Sequence, residues 1–298
     1  MRRDRLHAYI PVFLSRSIGA PASKEPEFSV ENVKPWPVDF PRVYAHTSVG
    51  MVLRHEAHGA GKCGDIHAAR ILVGDVIKVD RIRALAGLYP GAIVVPIRAL
   101  EESGKNAIPW AYAEVFAAIG AFEVDTEIVQ TNVTSHTGRD GISRLLIRAR
   151  FGGRVREEGT YIVVDDIVTQ GGTVSELRHH IENHGGRVAA ISSLAFSRYS
   201  NVVGIRLETI GRLESKFGRY KLEEFLKEND ISGTIEALTE SEARELLLFS
   251  TLERIRDRIV EAGGGRIPAG RHSLFQRALR TKIASSISSS GVLRPGSF

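Results

Sequence analysis

Residues 161–177 read YIVVDDIVTQGGTVSEL. An apolar run that reads as a strand ends in two adjacent carboxylates, Asp165 and Asp166. A loop follows, Thr169, Gln170, Gly171, Gly172 and Thr173. Beyond it Val174, Leu177 and Ile181 fall on one face of a helix. A phosphatase of the D-x-D type is excluded, because adjacent side chains in a strand point to opposite faces. A Walker B strand needs an upstream G-x-x-x-x-G-K-[ST] loop, and the nearest stretch, 99–106, lacks the first glycine and the closing hydroxyl. Two readings remain. One is a plain strand-to-helix turn with a solvated acidic edge. The other is a ligand site in which glycines and a helix start cradle a phosphate. The carboxylates would repel that phosphate, but they can accept hydrogen bonds from vicinal sugar hydroxyls. A ligand with a diol at one end and a phosphate at the other is a ribose 5-phosphate.

Outward from this stretch the chain alternates. Residues 65–89 read as one or two amphipathic helices, 91–96 as a buried strand, and 108–120 as a helix with Pro109 in its first turn. Residues 126–130 read as the next strand, 131–141 as a polar loop, and 187–196 as a strand after the 173–186 helix. Strands alternating with helices predict an α/β fold, a central parallel sheet flanked by helices. Residues 1–41 hold six of the eleven prolines and are expected to be irregular. After about 205 only helices are expected, and Thr239 and Glu242 have capping-box spacing. The predicted organisation is an arm over 1–60, a core over 61–204, a helical extension over 205–283 and a Ser/Gly-rich tail over 284–298.

Composition bounds the class. The 298 residues are 43% hydrophobic and 25% charged, ordinary for a globular protein. No apolar run approaches the ~18 residues of a membrane span. Pro11, Ser15 and Arg16 interrupt any signal-peptide core. One cysteine, Cys63, allows no internal disulfide, so a cytoplasmic protein is expected.

The eleven residues VVDDIVTQGGT resemble the 5-phosphoribosyl 1-pyrophosphate (PRPP) signature of type I phosphoribosyltransferases, with Gln170 where threonine is common. The resemblance extends more weakly over 91–196 and leaves out 1–60 and 205–298. It implies transfer of a phosphoribosyl group from PRPP to a nitrogen acceptor, with Mg²⁺ bridging pyrophosphate and ribose. It further implies that Asp165 and Asp166 are the catalytic ribose contacts and touch the metal indirectly, and that Thr169 to Thr173 hold the 5-phosphate. The pyrophosphate would fall to the loop after the 91–96 strand, where Arg98, Lys105 and the backbone of Ser103 and Gly104 are candidates. A flexible loop would close from 131–141, with His136, Thr137, Arg139 and the following Arg144 near phosphate. Phe196, Ser197 and Arg198 follow the last core strand, where the family holds its acceptor, and they name no base.

Three features lie outside that resemblance. His55, His58, Cys63 and His67 fall within thirteen residues and could ligate zinc, though not at a standard zinc spacing; chance clustering on a polar loop, or a loop near the acceptor pocket, is the plainer reading. Residues 251–282 hold eight basic against three acidic side chains, matching the whole formal charge of +5. That segment supports an alternative, a PRPP-sensing regulator that binds nucleic acid. Finally, Leu246, Leu247, Ile255 and Ile259 form a stripe that needs a partner surface, which predicts a homodimer.

Overall fold

The computed structural model describes residues 33–98, 100–101, 104–132, 141–197 and 199–262. The chain opens with β1 (Tyr44–Ala45), α1 (Val49–Leu53), α2 (His58–Lys62), α3 (Ile66–Val76) and α4 (Val79–Leu88). Next come β2 (Ile93–Pro96), a short ribbon of β3 (Leu100–Glu101) and β4 (Gly104–Lys105), α5 (Ile108–Gly120) and β5 (Glu123–Val124). A second ribbon joins β6 (Val129–Gln130) to β7 (Phe151–Gly152), with α6 (Gly141–Leu146) between them. The centre is β8 (Thr160–Val168), α7 (Gly172–Asn183) and β9 (Arg187–Phe196). Four helices close the described chain: α8 (Leu207–Phe217), α9 (Arg219–Glu228), α10 (Glu240–Leu247) and α11 (Leu252–Ala262).

Among the described residues five strands form the central sheet, in the order β1-β9-β8-β2-β5, all parallel. Each face is covered, as continuous apolar strands require. Val94, Ile162, Val164, Ala190 and Leu194 pack against α3, α4 and α5. Ile93, Val95, Tyr161, Val163 and Ile191 pack against α7 through Val174, Leu177 and Ile181. The alternation of neighbours between the two cores is the period-2 signature of a strand.

Three expectations need correction. The strand that joins the sheet after α5 is Glu123–Val124, not 126–130. The Asp125 carboxylate accepts the N–H groups of Glu127 and Ile128, which turns the chain away, and Val129–Gln130 pairs with β7 instead. The segment expected as an irregular arm supplies an edge strand: β1 pairs with β9, Tyr44 opposite Ser192. A buried chain of hydrogen bonds holds that edge. Lys78 N–H donates to His46 Nδ1, which leaves the proton on Nε2 to donate to the Tyr112 hydroxyl at 2.6 Å. Tyr112 then donates to Ser192 Oγ and Ser192 to the Tyr44 carbonyl. Burial, aided by Arg81 and Lys78, lowers the His46 pKa to about 4, consistent with the neutral ring this chain needs.

The third correction concerns the apolar stripe. Leu246 and Ile255 are fully buried and Ile259 is nearly so, inside a core that α8–α11 build with Ile142 and Leu145 of α6. A second copy is therefore not needed to cover these three, while Leu247 stays half-buried at the edge of the same core. The capping box at α10 is formed as expected, with Thr239 Oγ accepting from Glu242 N–H and Glu242 accepting from Thr239 N–H. No helix among the described residues is long and apolar enough to cross a membrane.

Candidate functional site

The sheet order defines where a ligand belongs. From β2 the chain moves through α5 to β5 on one side, then crosses to β8 and β9 on the other. The winding reverses between β2 and β8, and in open α/β sheets ligands bind outside the carboxyl ends of the strands at that point. β2 stops at Pro96, opposite Val164, whereas β8 runs on to Val168 beside β9. Asp165 and Asp166 stand in the step this leaves. They lie within β8, not at its end as the sequence implied, because β9 keeps pairing alongside them. With β2 gone, local caps replace part of the ladder: Asp166 N–H donates to Asp165 Oδ1 and Ile167 N–H to Asp166 Oδ1. The two carboxyl groups interact across this step.

Both are buried, and their protons are held unequally. Burial, and next the charge of Asp166, push the Asp165 carboxyl well above the usual carboxylate range. Burial works against Asp166 as well, yet the Lys62 ammonium and the Asn106 amide hold its carboxyl below that range. Lys62 Nζ and Asn106 Nδ2 both donate to Asp166 Oδ2, at 3.1 and 3.0 Å. Two adjacent carboxyls whose proton affinities are pushed apart are the arrangement from which acid and acceptor roles are built.

Sequence reasoning missed Lys62 and Asn106. Lys62 ends α2, which is clamped to the start of α5: Ala107 N–H donates to the Gly61 carbonyl. A Cβ on Gly61 would lie 3.1 Å from Ile108 Cγ1 and 3.2 Å from Ala69 Cα, so glycine permits this approach. The one available signal was the polar segment 55–67, read as a zinc set or as a loop beside the acceptor pocket. The zinc reading is not met. His55 is occupied, its Nε2 with Asp75 and its Nδ1 accepting from Ala57 N–H. No group of three His, Cys, Asp or Glu among the described residues could hold a metal ion. His58 instead faces Asp166 and Lys62, its pKa lowered chiefly by burial against the attraction of Asp166.

The loop Thr169–Thr173 lies at the mouth of the same step. Gly171 has φ +81°, a left-handed conformation that only glycine adopts without strain, and it caps α7. The first N–H groups of α7 have no acceptor within the helix and supply partial positive charge. Thr169 is exposed, and Gly172 and Thr173 are half-buried. The loop carbonyls are held from outside the sheet. Ser197 and Ser200 donate to the Thr169 carbonyl, and Thr239 donates to the Gln170 carbonyl at 2.6 Å. Gln170 in turn donates through its side chain to the Gly141 carbonyl at the start of α6. The departure from threonine at 170 thus ties the loop to α6. Behind it lies a buried ion network: Arg148 pairs with Glu242 at 3.0 Å and Glu176 at 3.6 Å, and Arg150 pairs with Glu176.

The remaining predicted residues are placed less centrally. Arg98 donates to the Thr126 carbonyl and stacks over Trp110 with 5.2 Å to the ring centre. Lys105 is exposed, in the β3–β4 ribbon. Arg144 sits on α6, the helix joined to Gln170. His136, Thr137, Arg139, Ser103 and Arg198 lie outside the described residues, as does the basic segment beyond 262.

Fold and site together define a doubly wound α/β protein with a carboxylate pair and an anion-suited loop at its switch point, plus a helical C-terminal region. Over 249 residues the chain is 34% identical to Protein TraN of Escherichia coli, covering 82% of this chain and 55% of that protein. It is 35% identical over 148 residues to an uncharacterized protein of Haemophilus influenzae, covering 49% and 33% respectively. The chain therefore spans about half of the first of these relatives and a third of the second. No family model matches. Among solved structures, a mutant hypoxanthine phosphoribosyltransferase of Trypanosoma cruzi in a ternary substrates complex aligns at TM-score 0.25 with 17% identity. That alignment covers 43% of this chain and 79% of the other. A second such enzyme, an asparagine mutant at an invariant aspartic acid, aligns at the same TM-score and identity, over 43% and 77%. Alignments at that level carry no argument about the site.

Proposed function

We propose that this chain binds PRPP at the switch point and transfers its phosphoribosyl group to a nitrogen acceptor of the nucleobase class. The observation that carries the reading is the unequal carboxylate pair, set three residues ahead of a glycine loop that opens α7 at the sheet's carboxyl edge. Asp166, the readier of the two to ionise, accepts a hydrogen bond from one ribose hydroxyl, and Asp165, which holds its proton more tightly, hydrogen-bonds the neighbouring ribose oxygen. The α7 N-terminus and the Thr169 and Thr173 hydroxyls take the 5-phosphate. In the reaction the C1–O bond to pyrophosphate breaks, the C1–N bond forms, and the acceptor nitrogen gives up its proton. The transition state carries positive charge at C1, so positioning and a nearby carboxylate matter more than a protein nucleophile.

The donor set suits Mg²⁺ through water and the ligand's own oxygens, since two carboxylates are hard ligands and, among the described residues, no third His, Cys, Asp or Glu joins them. Such an ion, when bound, neutralises the leaving pyrophosphate. In the described part of the basic segment Arg256 pairs with Glu228 and Glu253, and five of the segment's eight basic residues lie outside the described residues.

The test is pyrophosphate release from PRPP and Mg²⁺ with a panel of nucleobases. Release with one base establishes the transferase. PRPP binding without release for any base favours the sensing regulator, and no PRPP binding removes both.

A further inference from the structure

We infer that Thr239, aided by Ser200, is a positioning residue of the anion site: by holding the carbonyls of Gln170 and Thr169, the two aim the N–H groups of Gly171 and Gln170 at the 5-phosphate. The inference rests on the phosphoribosyl reading above and adds to it residues outside the signature, from the chain after β9. In a trans peptide the carbonyl and the following N–H point in opposite directions, and among the described residues no peptide is cis. Fixing a carbonyl therefore fixes an N–H. Thr239 Oγ accepts from Glu242 N–H at 3.1 Å, so its own proton turns to the Gln170 carbonyl, 2.6 Å away. The Thr169 carbonyl accepts from Ser197 and Ser200, and Ser241 Oγ lies 3.1 Å from Ser200 Oγ. Thr239 and Ser200 are 1% and 2% exposed, so these hydroxyls have no water to turn to. The Gly171 carbonyl accepts Ser175 N–H at 2.8 Å. Three successive carbonyls are thus occupied, and the N–H groups of Gln170, Gly171 and Gly172 face away from them. None of those three N–H groups has an acceptor among the described residues. Such a run of backbone donors at the start of α7 suits a phosphate.

The hydroxyls matter because this loop can turn over. Gly171 tolerates φ of either sign, so the Gln170–Gly171 peptide can rotate by half a turn with little strain. The rotated peptide would present the Gln170 carbonyl where the phosphate belongs, and its oxygen would repel the anion. Thr239 opposes that rotation with a donor oriented by the capping box of α10. Glu240 N–H donates to the Val203 carbonyl at 2.8 Å, which fixes the same turn to the segment that carries Ser200. The helical C-terminal region is thereby part of the ligand site without touching the ligand.

The test uses the full chain and ribose 5-phosphate as the probe, read by calorimetry and by backbone amide resonances. In wild-type protein the probe should move the Gln170 and Gly171 amide protons downfield, as donation to a charged acceptor does. Thr239→Val keeps the shape and removes the donor, and is expected to weaken the probe at least about tenfold, as loss of a hydrogen bond to a charged group does. Ser200→Ala is expected to weaken it less, about threefold, because Ser197 still holds the same carbonyl. Thr239→Ser should bring affinity back to within about threefold of wild type, together with the Gly171 shift. A threonine that only capped α10 would lower the melting temperature in Thr239→Val and leave the Gly171 response intact. If Thr239→Val does not fold, the wild-type amide map and Ser200→Ala decide. Full affinity in Thr239→Val, or Gln170 and Gly171 amides that stay in place while the probe binds, overturns the inference and leaves the phosphoribosyl reading standing. Wild-type protein that binds no ribose 5-phosphate removes both.

Discussion

Two buried charge clusters flank the Thr169–Thr173 loop, and they are built on opposite principles. On the α7 side, Arg148 and Arg150 face Glu176 and Glu242, two cations against two anions, with Arg148, Glu176 and Glu242 each below a tenth exposed. On the β2 side, Asp165 and Asp166 stand together with the Lys62 ammonium on Asp166, and burial beside Asp166 raises the proton affinity of Asp165. The balanced cluster joins β7, α7 and α10 and has no charge to offer. The unbalanced one is an expense in the free protein that a ligand can relieve, which is why strongly displaced proton affinities mark functional sites.

The balanced cluster is the easier to break. Arg148→Met leaves Glu176 short of a partner and Glu242 buried without its cation, and should cost about 3–5 kcal/mol in urea unfolding. A loss below about 1 kcal/mol would mean that water already reaches the network. Asp165→Asn, by contrast, replaces a buried carboxyl beside Asp166 with a neutral amide and should leave stability unchanged or raised.

Acid titration separates the two clusters by sign. His179 on α7 has its pKa lowered to about 4, by burial first and then by Arg150, and His46 is lowered to about 4 in the same way. The unfolded chain therefore takes up protons at these rings first as pH falls below about 6.5, and stability drops from there to about 4. Each ring accounts for up to about 3 kcal/mol. Asp165 works the other way. Its raised folded pKa adds stability as pH falls through that value toward 3.8. His179→Gln should flatten the acid limb of the stability curve, and Asp165→Asn should steepen it. Chemical denaturation at a series of pH values would show both, and identical limbs in the two variants would contradict the assigned directions.

Function gives the next effect. Asp165→Asn paired with Asp166→Asn should weaken PRPP by on the order of a hundredfold through lost ribose hydrogen bonds to charged groups. Equal titration curves for wild type and double variant would remove the carboxylates from the site. The smallest effect expected is at Gly171. Alanine there meets a φ of +81° and places its Cβ 3.3 Å from Val203 Cγ1, for a cost of about 1 kcal/mol in stability. A gain in melting temperature would show that the loop relaxes away from α10.

How much was legible follows from how local each signal is. The apolar run, carboxylates and glycines of the β8–loop–α7 unit lie within the single stretch 161–177, so they could be read directly. The capping box at Thr239 was readable for the same reason. The strand at 126–130 was misassigned because one side chain, Asp125, caps two N–H groups and redirects the chain. The two-residue edge strand at Tyr44 is too short to carry a period, and it exists because His46, Tyr112 and Ser192 connect it to distant elements.

By itself the sequence determined the parallel α/β body, the helical C-terminal region and the pair of acids before a phosphate-suited loop, since each is written in a contiguous pattern of polarity and turn residues. The tertiary structure decided the rest. It set Lys62 and Asn106 on Asp166 across separations of 104 and 60 residues. It buried the Leu246–Ile259 stripe within the chain and bound Thr239 to the loop carbonyl of Gln170. Those contacts depend on where helices dock against a sheet, and docking is governed by packing between surfaces that no local window of sequence contains.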